Sequence, residues 1–169
     1  MNAYKLNAAY GDFVKFDDYN LFLTLNTEKE LSRTQLSKLL KRFFYRAECS
    51  AFGMTDGGIY RRELYKHKDK FHIKRIVAIE GKPKRTHAHC LVRSIEGYST
   101  EGMKHLLAEA YRQTIGAKRT KPFLFDAEPI RGLASSCSYI TKETAKHNRC
   151  LDDVIDLDSS FISKHSYKQ

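Results

Sequence analysis

The chain has 169 residues, 41% of them hydrophobic and 30% charged, and a formal net charge of +10. This is the composition of one globular domain, and it excludes a disordered chain or a bundle of membrane-spanning helices. Residues 1–20 and 151–169 are more acidic than basic, so the positive excess lies in residues 21–150. A basic folded region predicts a polyanionic partner, with nucleic acid favoured over a membrane surface, unless the charge serves solubility alone.

Hydrophobic periodicity divides the chain into strands and helices. Short apolar runs bounded by turn residues predict strands, and apolar residues spaced by three or four predict amphipathic helices. Thr27 and Glu30 have the spacing of a capping box, which predicts the start of the first helix. In chain order, the predicted elements are the strand Asn20–Leu25, the helix Glu28–Cys49, the strands Phe71–Glu80 and Thr86–Val92, a helix capped by Ser99 or Thr100 that ends near Gly116, the strand Phe123–Ala127 and the helix Leu133–Thr144.

This order predicts the α+β class, with a central antiparallel sheet of about five strands and helices packed on one side of it. Turn residues between Ala51 and Lys70 leave room for a further hairpin. The chain shows no internal repeat or linker. We therefore expect a single domain over residues 1–169, with its core in about residues 20–145 and an acidic tail from about residue 151.

The cysteines and the N-terminus indicate the compartment. Cys49, Cys90, Cys137 and Cys150 are far apart and include no Cys-x-x-Cys pair. This spacing predicts neither a zinc ribbon nor a disulfide framework, and Cys90 is expected to pack as a small core residue. Residues 1–20 lack the apolar stretch of a signal peptide, and no apolar run is long enough to span a bilayer. We expect an intracellular protein with no membrane partner.

A candidate metal site lies in the predicted hairpin. His87 and His89 are two positions apart in a strand, so both imidazoles point to the same face. If the hairpin pairs Glu80 with His87, the carboxylate converges on the same point. Two imidazoles and one carboxylate predict a catalytic Mn²⁺, Mg²⁺ or Zn²⁺ site with open positions, whereas a packing or surface role is the alternative for any His-x-His pair. The remaining histidines are expected to be solvated: His67, His72, His105, His147 and His165.

A candidate nucleophile lies in the last predicted helix. Tyr139 and Lys142 are three positions apart, so they face one spot on the helix surface. A phenol can attack phosphorus and form a phosphotyrosine, and a neighbouring lysine can stabilise phosphate charge. Because the chain has ten tyrosines, a packing or surface role is the alternative for a single Tyr-x-x-Lys pair.

Three short motifs follow one another along the chain: Phe22–Asn26 (FLTLN), then Glu80 with Thr86–His89 (THAH), then Tyr139–Lys142 (YITK). This ordered set resembles the HUH endonucleases, and within them the single-tyrosine replication initiator (Rep) proteins of rolling-circle plasmids, phages and small circular DNA viruses. The resemblance covers about residues 20–145, which is most of the chain.

The resemblance implies a ferredoxin- or RRM-like nuclease fold that nicks and rejoins single-stranded origin DNA, which can include a hairpin. The metal would hold the scissile phosphate at Glu80, His87 and His89. Attack by Tyr139 would give a 5′-phosphotyrosine and a free 3′-OH that primes rolling-circle replication. The chain has no GxxxxGK[ST] loop, so a helicase and a polymerase of the host would be separate partners. The compartment would be the bacterial cytoplasm, or the host nucleus for a eukaryotic virus.

Basic clusters with aromatic residues between them are candidate DNA contacts, because cations bind phosphates and aromatic rings stack on bases. Solvated charged loops are an equal alternative for any one cluster. The candidates are Arg61, Arg62, Lys66, Lys68, Lys70, Lys82, Lys84, Arg85, Lys118, Arg119 and Lys121.

Two other functions stay open. A tyrosine transposase or a plasmid relaxase of the HUH class is the closer one, although relaxases usually carry a cluster of histidines and small transposases usually carry Gln where Lys142 stands. The more distant one is a non-catalytic nucleic-acid-binding domain with a ferredoxin-like sheet. Such a domain exposes aromatic residues on its sheet face, where this chain is expected to place His87, His89 and Glu80.

Overall fold

The computed structural model describes residues 18–53, 71–81, 86–117, 124–140 and 154–161. Strands and helices alternate in the way that the apolar periodicity predicts, which confirms the α+β class. The elements are β1 (Leu21–Leu25), α1 (Arg33–Ala51), β2 (Arg75–Glu80), β3 (His87–Val92), α2 (Thr100–Ile115), β4 (Phe125–Pro129) and α3 (Leu133–Ile140).

The sheet is antiparallel, with strand order β2-β3-β1-β4. This order, together with the sequence β1-α1-β2-β3-α2-β4, is the ferredoxin-like arrangement known as a split βαβ. The described residues contain four strands rather than the expected five or so. The region 54–70, where a further hairpin was expected, lies outside the described residues.

Helices α1 and α2 cover one face of the sheet and enclose the larger hydrophobic core. Leu21, Leu23 and Leu25 of β1 point into this core because alternate residues of a strand share a face. The apolar face predicted for the first helix is confirmed. Its fully buried members are Leu36, Leu40, Phe43, Phe44 and Ala47.

The first helix begins later than predicted. Ser32 is its N-cap, and the side chain of Gln35 completes a capping box with Ser32. The hydroxyl of Thr27 instead donates to the carbonyl of Lys29, so the predicted box at Thr27 does not form. Both segments fit the capping pattern, but Ser32 is the one that lies a single turn before the apolar face. The second helix begins after Ser99, as predicted.

The opposite face of the sheet carries α3 and residues 154–161, so the expectation of helices on one side only was wrong. Cys137 and Ile140 of α3 pack against Ile76 and Leu91. Residues 154–161 run along the outer edge of β2 and form single bridges to it at Ala78 and Arg75. Part of the acidic tail therefore covers a strand edge that would otherwise expose its backbone hydrogen-bonding groups.

A buried ionic group supports this edge of the sheet. Glu48 accepts hydrogen bonds from the guanidinium of Arg75 and from the backbone N–H of Ile73. The Nδ1 atom of His72 lies 3.1 Å from the same carboxylate, and the ring of His72 packs on Phe161. The expectation that His72 is solvated was therefore wrong. Burial favours a raised pKa for Glu48, but Arg75 and His72 outweigh it and hold that pKa below its usual range.

The described cysteines are buried, and none of them forms a disulfide within the described part of the chain. Cys90 is completely buried in the larger core, as predicted, and burial raises the pKa of its thiol. Among the described helices, none is both long enough and apolar enough to cross a membrane.

Candidate active site

The β2–β3 hairpin brings the predicted metal ligands together. Glu80 is the last residue of β2 and pairs with His87, the first residue of β3. Ala78 pairs with His89, so the register is the one that the sequence predicts. Because directly opposed residues share a face, the carboxylate and both imidazoles lie on the face that also carries α3.

The three side chains converge on one point. The Oε2 atom of Glu80 lies 3.9 Å from Nε2 of His87 and 3.8 Å from Nε2 of His89. Both distances are too long for hydrogen bonds. The three ligand atoms all lie within 4.8 Å of one another. Ligands that share one ion at 2.0–2.2 Å are about 3–3.4 Å apart, so small side-chain rotations would bring these atoms onto a single ion.

Burial makes this group closed on one side and open on the other. Glu80 and His89 are 2% and 3% exposed, whereas the side chain of His87 is 29% exposed. A catalytic metal site needs protein ligands on one side and room for substrate on the other. The described residues therefore contain a group that could hold a metal ion, with two imidazole nitrogens and one carboxylate.

Thr24 of β1 orients one of the two imidazoles. It lies opposite His89 in the β1–β3 ladder, and its hydroxyl oxygen is 3.2 Å from Nδ1 of His89. An imidazole binds a metal through an unprotonated nitrogen, so the Nδ1–H of His89 would donate to Thr24 while Nε2 faces Glu80. The sequence marked FLTLN as a motif but assigned no role to Thr24. Alternation along β1 places Phe22 and Thr24 on one face, but only the pairing of β1 with β3 sets Thr24 against His89.

The predicted nucleophile lies beside this group. Tyr139 is 46% exposed, and its ring meets the ring of His89 edge-on, with 5.1 Å between the centroids. Phe22 of β1 contacts both rings, at 5.4 Å from His89 and 5.6 Å from Tyr139. The neighbours of Tyr139 on α3, Cys137 and Ile140, are buried against the sheet and anchor the helix. The fold thus places an exposed phenol against a candidate metal ligand.

The other predicted site residues stay predictions. Lys142 follows the last described residue of α3, so its position relative to Tyr139 lies outside the described part of the chain. The candidate DNA contacts also lie outside it: Arg61, Arg62, Lys66, Lys68, Lys70, Lys82, Lys84, Arg85, Lys118, Arg119 and Lys121.

Comparisons of the chain with protein families, with curated proteins and with solved structures find no match. The interpretation of the site therefore depends on its own geometry. That geometry consists of a split βαβ fold, a buried Glu-His-His group at the end of a hairpin, and an exposed tyrosine in contact with that group.

Proposed function

We propose that this chain is a metal-dependent endonuclease and strand transferase that acts on single-stranded DNA through Tyr139. One observation carries the proposal: the half-exposed ring of Tyr139 packs edge-on against His89, a member of the Glu80-His87-His89 group. A structural tyrosine on α3 would turn towards the core with Cys137 and Ile140. Tyr139 instead lies at the surface and is half exposed.

The chemistry is a transesterification at phosphorus. The phenol oxygen of Tyr139 attacks the scissile phosphate, and a bond between phosphorus and the tyrosine oxygen forms. The bond to the 3′ oxygen breaks, and that oxygen leaves with a proton as a free 3′-OH. Because one phosphodiester replaces another, the reverse attack by a 3′-OH rejoins the strand without ATP. A divalent ion held by Glu80, His87 and His89 would polarise a phosphoryl oxygen as a Lewis acid.

The remaining residues of the site position these groups. Thr24 holds the ring of His89 so that Nε2 faces Glu80. Phe22 packs against both His89 and Tyr139, which also touch each other, and so supports the contact between the metal group and the nucleophile. Such support matters because a displacement of about 1 Å in a reacting group costs on the order of 100-fold in rate.

The substrate and biological role follow from the chain as a whole. A net charge of +10 supports a polyanionic substrate, and the ordered motifs support the single-stranded origin of a rolling-circle replicon. In that role the chain starts replication, and a host helicase and polymerase extend the free 3′-OH. Mn²⁺ or Mg²⁺ is the proposed cofactor, since a mixed imidazole and carboxylate set binds both, and Zn²⁺ is a further candidate.

The test is a covalent trapping experiment. Circular single-stranded DNA is incubated with the protein and Mn²⁺, and products are separated under denaturing conditions. The proposal predicts a covalent protein–DNA adduct that disappears with a chelator and in Tyr139→Phe. An adduct that persists in Tyr139→Phe would exclude this nucleophile. Binding of the strand with no adduct under Mn²⁺, Mg²⁺ or Zn²⁺ would instead favour a non-catalytic nucleic-acid-binding domain.

A further inference from the structure

A surface pocket adjoins the candidate nucleophile on the side away from the hairpin. Its volume is about 330 Å³, and it lies between the start of α3 and the strands β1 and β4. Phe22 and Tyr139 form one side of the pocket. Glu128 of β4 and Arg131, in the loop before α3, also line it. The pocket and the Glu80-His87-His89 group therefore share a wall, made of the two aromatic rings that touch His89.

The lining of the pocket combines an aromatic surface with hydrogen-bond donors and acceptors. Phe22 and Glu128 are directly opposed across the β1–β4 ladder, so the ring and the carboxylate lie on the same face. Arg131 is exposed in the loop before α3 and offers N–H donors, whereas Glu128 offers acceptors. Ser135 and Gly132 also line the pocket, and the hydroxyl of Ser135 donates to the carbonyl of Gly132 at the start of α3.

These features fit an unstacked nucleobase better than a phosphate. Proteins bind the bases of single strands by stacking them on aromatic rings and by hydrogen bonds to their edges. A phosphate would be attracted by Arg131 but repelled by the carboxylate of Glu128, so the pocket offers it no net positive charge. A volume of about 330 Å³ is near the lower end of the range for small-molecule sites, so it suits one nucleotide rather than a longer segment.

We infer that this pocket binds the base of the nucleotide next to the cleaved bond, and so selects where the strand is cut. The inference rests on the proposed function, because Tyr139 is both the nucleophile and a wall of the pocket. The ring of Phe22 contacts the ring of Tyr139, so a base that stacks on Phe22 belongs to a nucleotide close to the nucleophile. Glu128 and Arg131 read the edge of that base and are specificity-determining residues, whereas Tyr139 performs the chemistry.

The test uses matched variants on one strand. Glu128→Gln removes the charge of the pocket carboxylate and keeps its shape. Asp126→Asn is the control, because Asp126 is also exposed, lies two positions away on the same face of β4, and does not line the pocket. Arg131→Ala, with the exposed Arg42→Ala on α1 as its control, tests the donor side. All four changes are at exposed positions, so the variants are expected to fold.

Two readouts keep the pocket and the proposed function separate. For the first readout, the protein reacts with a pool of single strands of random sequence. The strands that become covalently attached to the protein are then sequenced. Wild type is expected to prefer one base at a position next to the cut, and Glu128→Gln and Arg131→Ala to weaken that preference about tenfold. The two controls are expected to keep it.

The second readout is equilibrium binding of short dA, dC, dG and dT homopolymers, which requires no cleavage. The pocket is supported, even if no adduct forms, when the affinities differ by about fivefold or more between bases. Glu128→Gln must also change that difference, and Asp126→Asn must leave it unchanged. An adduct whose base preference is the same in all four variants overturns the inference and leaves the proposed function standing. Homopolymer affinities that do not depend on the base overturn it as well.

Discussion

The hydroxyl of Thr24 lies 3.2 Å from Nδ1 of His89, on the strand next to the one that carries the histidines. This contact connects the first of the three sequence motifs to the second. It leaves Nε2 of His89 directed at Glu80, 3.8 Å away. The short apolar strand β1 therefore contributes more than core packing, because its alternate residues Phe22 and Thr24 both contact His89 on the face that carries the candidate metal group.

Replacing Thr24 by valine removes the hydroxyl and keeps the branched shape. We expect Thr24→Val to weaken Mn²⁺ binding by about 10- to 100-fold, as the loss of a group that orients a metal-binding histidine usually does. Isothermal titration calorimetry of Mn²⁺ measures the change. Thr24→Ser keeps the hydroxyl and is expected to bind within a few-fold of wild type. Equal affinities in Thr24→Val and wild type would show that the contact does not orient His89 for a metal.

The three proposed ligands are expected to act together. His89→Ala and Glu80→Gln should each abolish the rise in melting temperature that Mn²⁺ gives to the wild type, because an ion stabilises the folded state only if it binds there. Thermal unfolding with and without Mn²⁺ measures this. His105→Ala is the matched control, since His105 is exposed on α2 and lies outside the group. A full metal-dependent shift in either ligand variant would contradict the site.

The buried pair of Glu48 and Arg75 predicts how stability depends on pH. The pKa of Glu48 is lowered in the folded state, so its ionised form stabilises the fold. That contribution is complete above the unfolded value of about 4.5 and is lost as the pH falls through the folded pKa. Urea unfolding at a series of pH values should therefore show a free energy of unfolding that falls on acidification below about pH 4.5.

Glu48→Gln tests the origin of that slope. The variant should lose about 3–5 kcal/mol at neutral pH, because Arg75 is then buried without its anionic partner, and its stability should depend less on pH in the acidic range. Glu101→Gln removes an exposed carboxylate that pairs with Lys104, so it should cost less than about 1 kcal/mol. If both variants keep the wild-type acid slope, other carboxylates cause it.

Arg33 holds residues 154–161 against the sheet beside the candidate metal group. Its guanidinium donates to the carbonyls of Ile79, at 2.8 Å, and of Val154, at 3.2 Å. We expect Arg33→Ala to speed hydrogen exchange at the amide of Asp156, which donates to Val77, since the segment then opens more readily. Lys41→Ala breaks an exposed pair with Asp158 and should leave that exchange nearly unchanged. Equal exchange in the two variants would contradict this role.

Much of the fold could be predicted from the sequence because it depends on local patterns of residues. The apolar spacing of the first helix, the caps of the second and the register of Glu80 with His87 follow from periodicity and turn position. The placement of α3 was not readable, because a short helix with apolar residues on one side can pack on either face of a sheet. The structure places Cys137 and Ile140 on the same face as Glu80 and the histidines.

The contacts between strands at the candidate site could be predicted only where the paired strands are close in sequence. Only six residues separate Glu80 from His87 in the sequence, so their convergence could be predicted from the hairpin alone. Thr24 and Phe22 reach His89 through long-range pairing of β1 with β3, which residue types do not reveal. The ion pair of Glu48 with Arg75 and the contact of His72 with Glu48 are long-range in the same sense, and His72 was therefore misjudged as solvated.

The most direct measurement is the identity of the residue that carries the nucleotide. The covalent adduct formed with single-stranded DNA and Mn²⁺ is digested with trypsin and nuclease, and the modified peptide is sequenced by mass spectrometry. Of the ten tyrosines in the chain, only Tyr139 lies between Arg131 and Lys142, so the peptide identifies it without ambiguity. We predict a nucleotide on Tyr139. A nucleotide on any other residue, or no adduct in the presence of Mn²⁺, Mg²⁺ or Zn²⁺, would contradict the account.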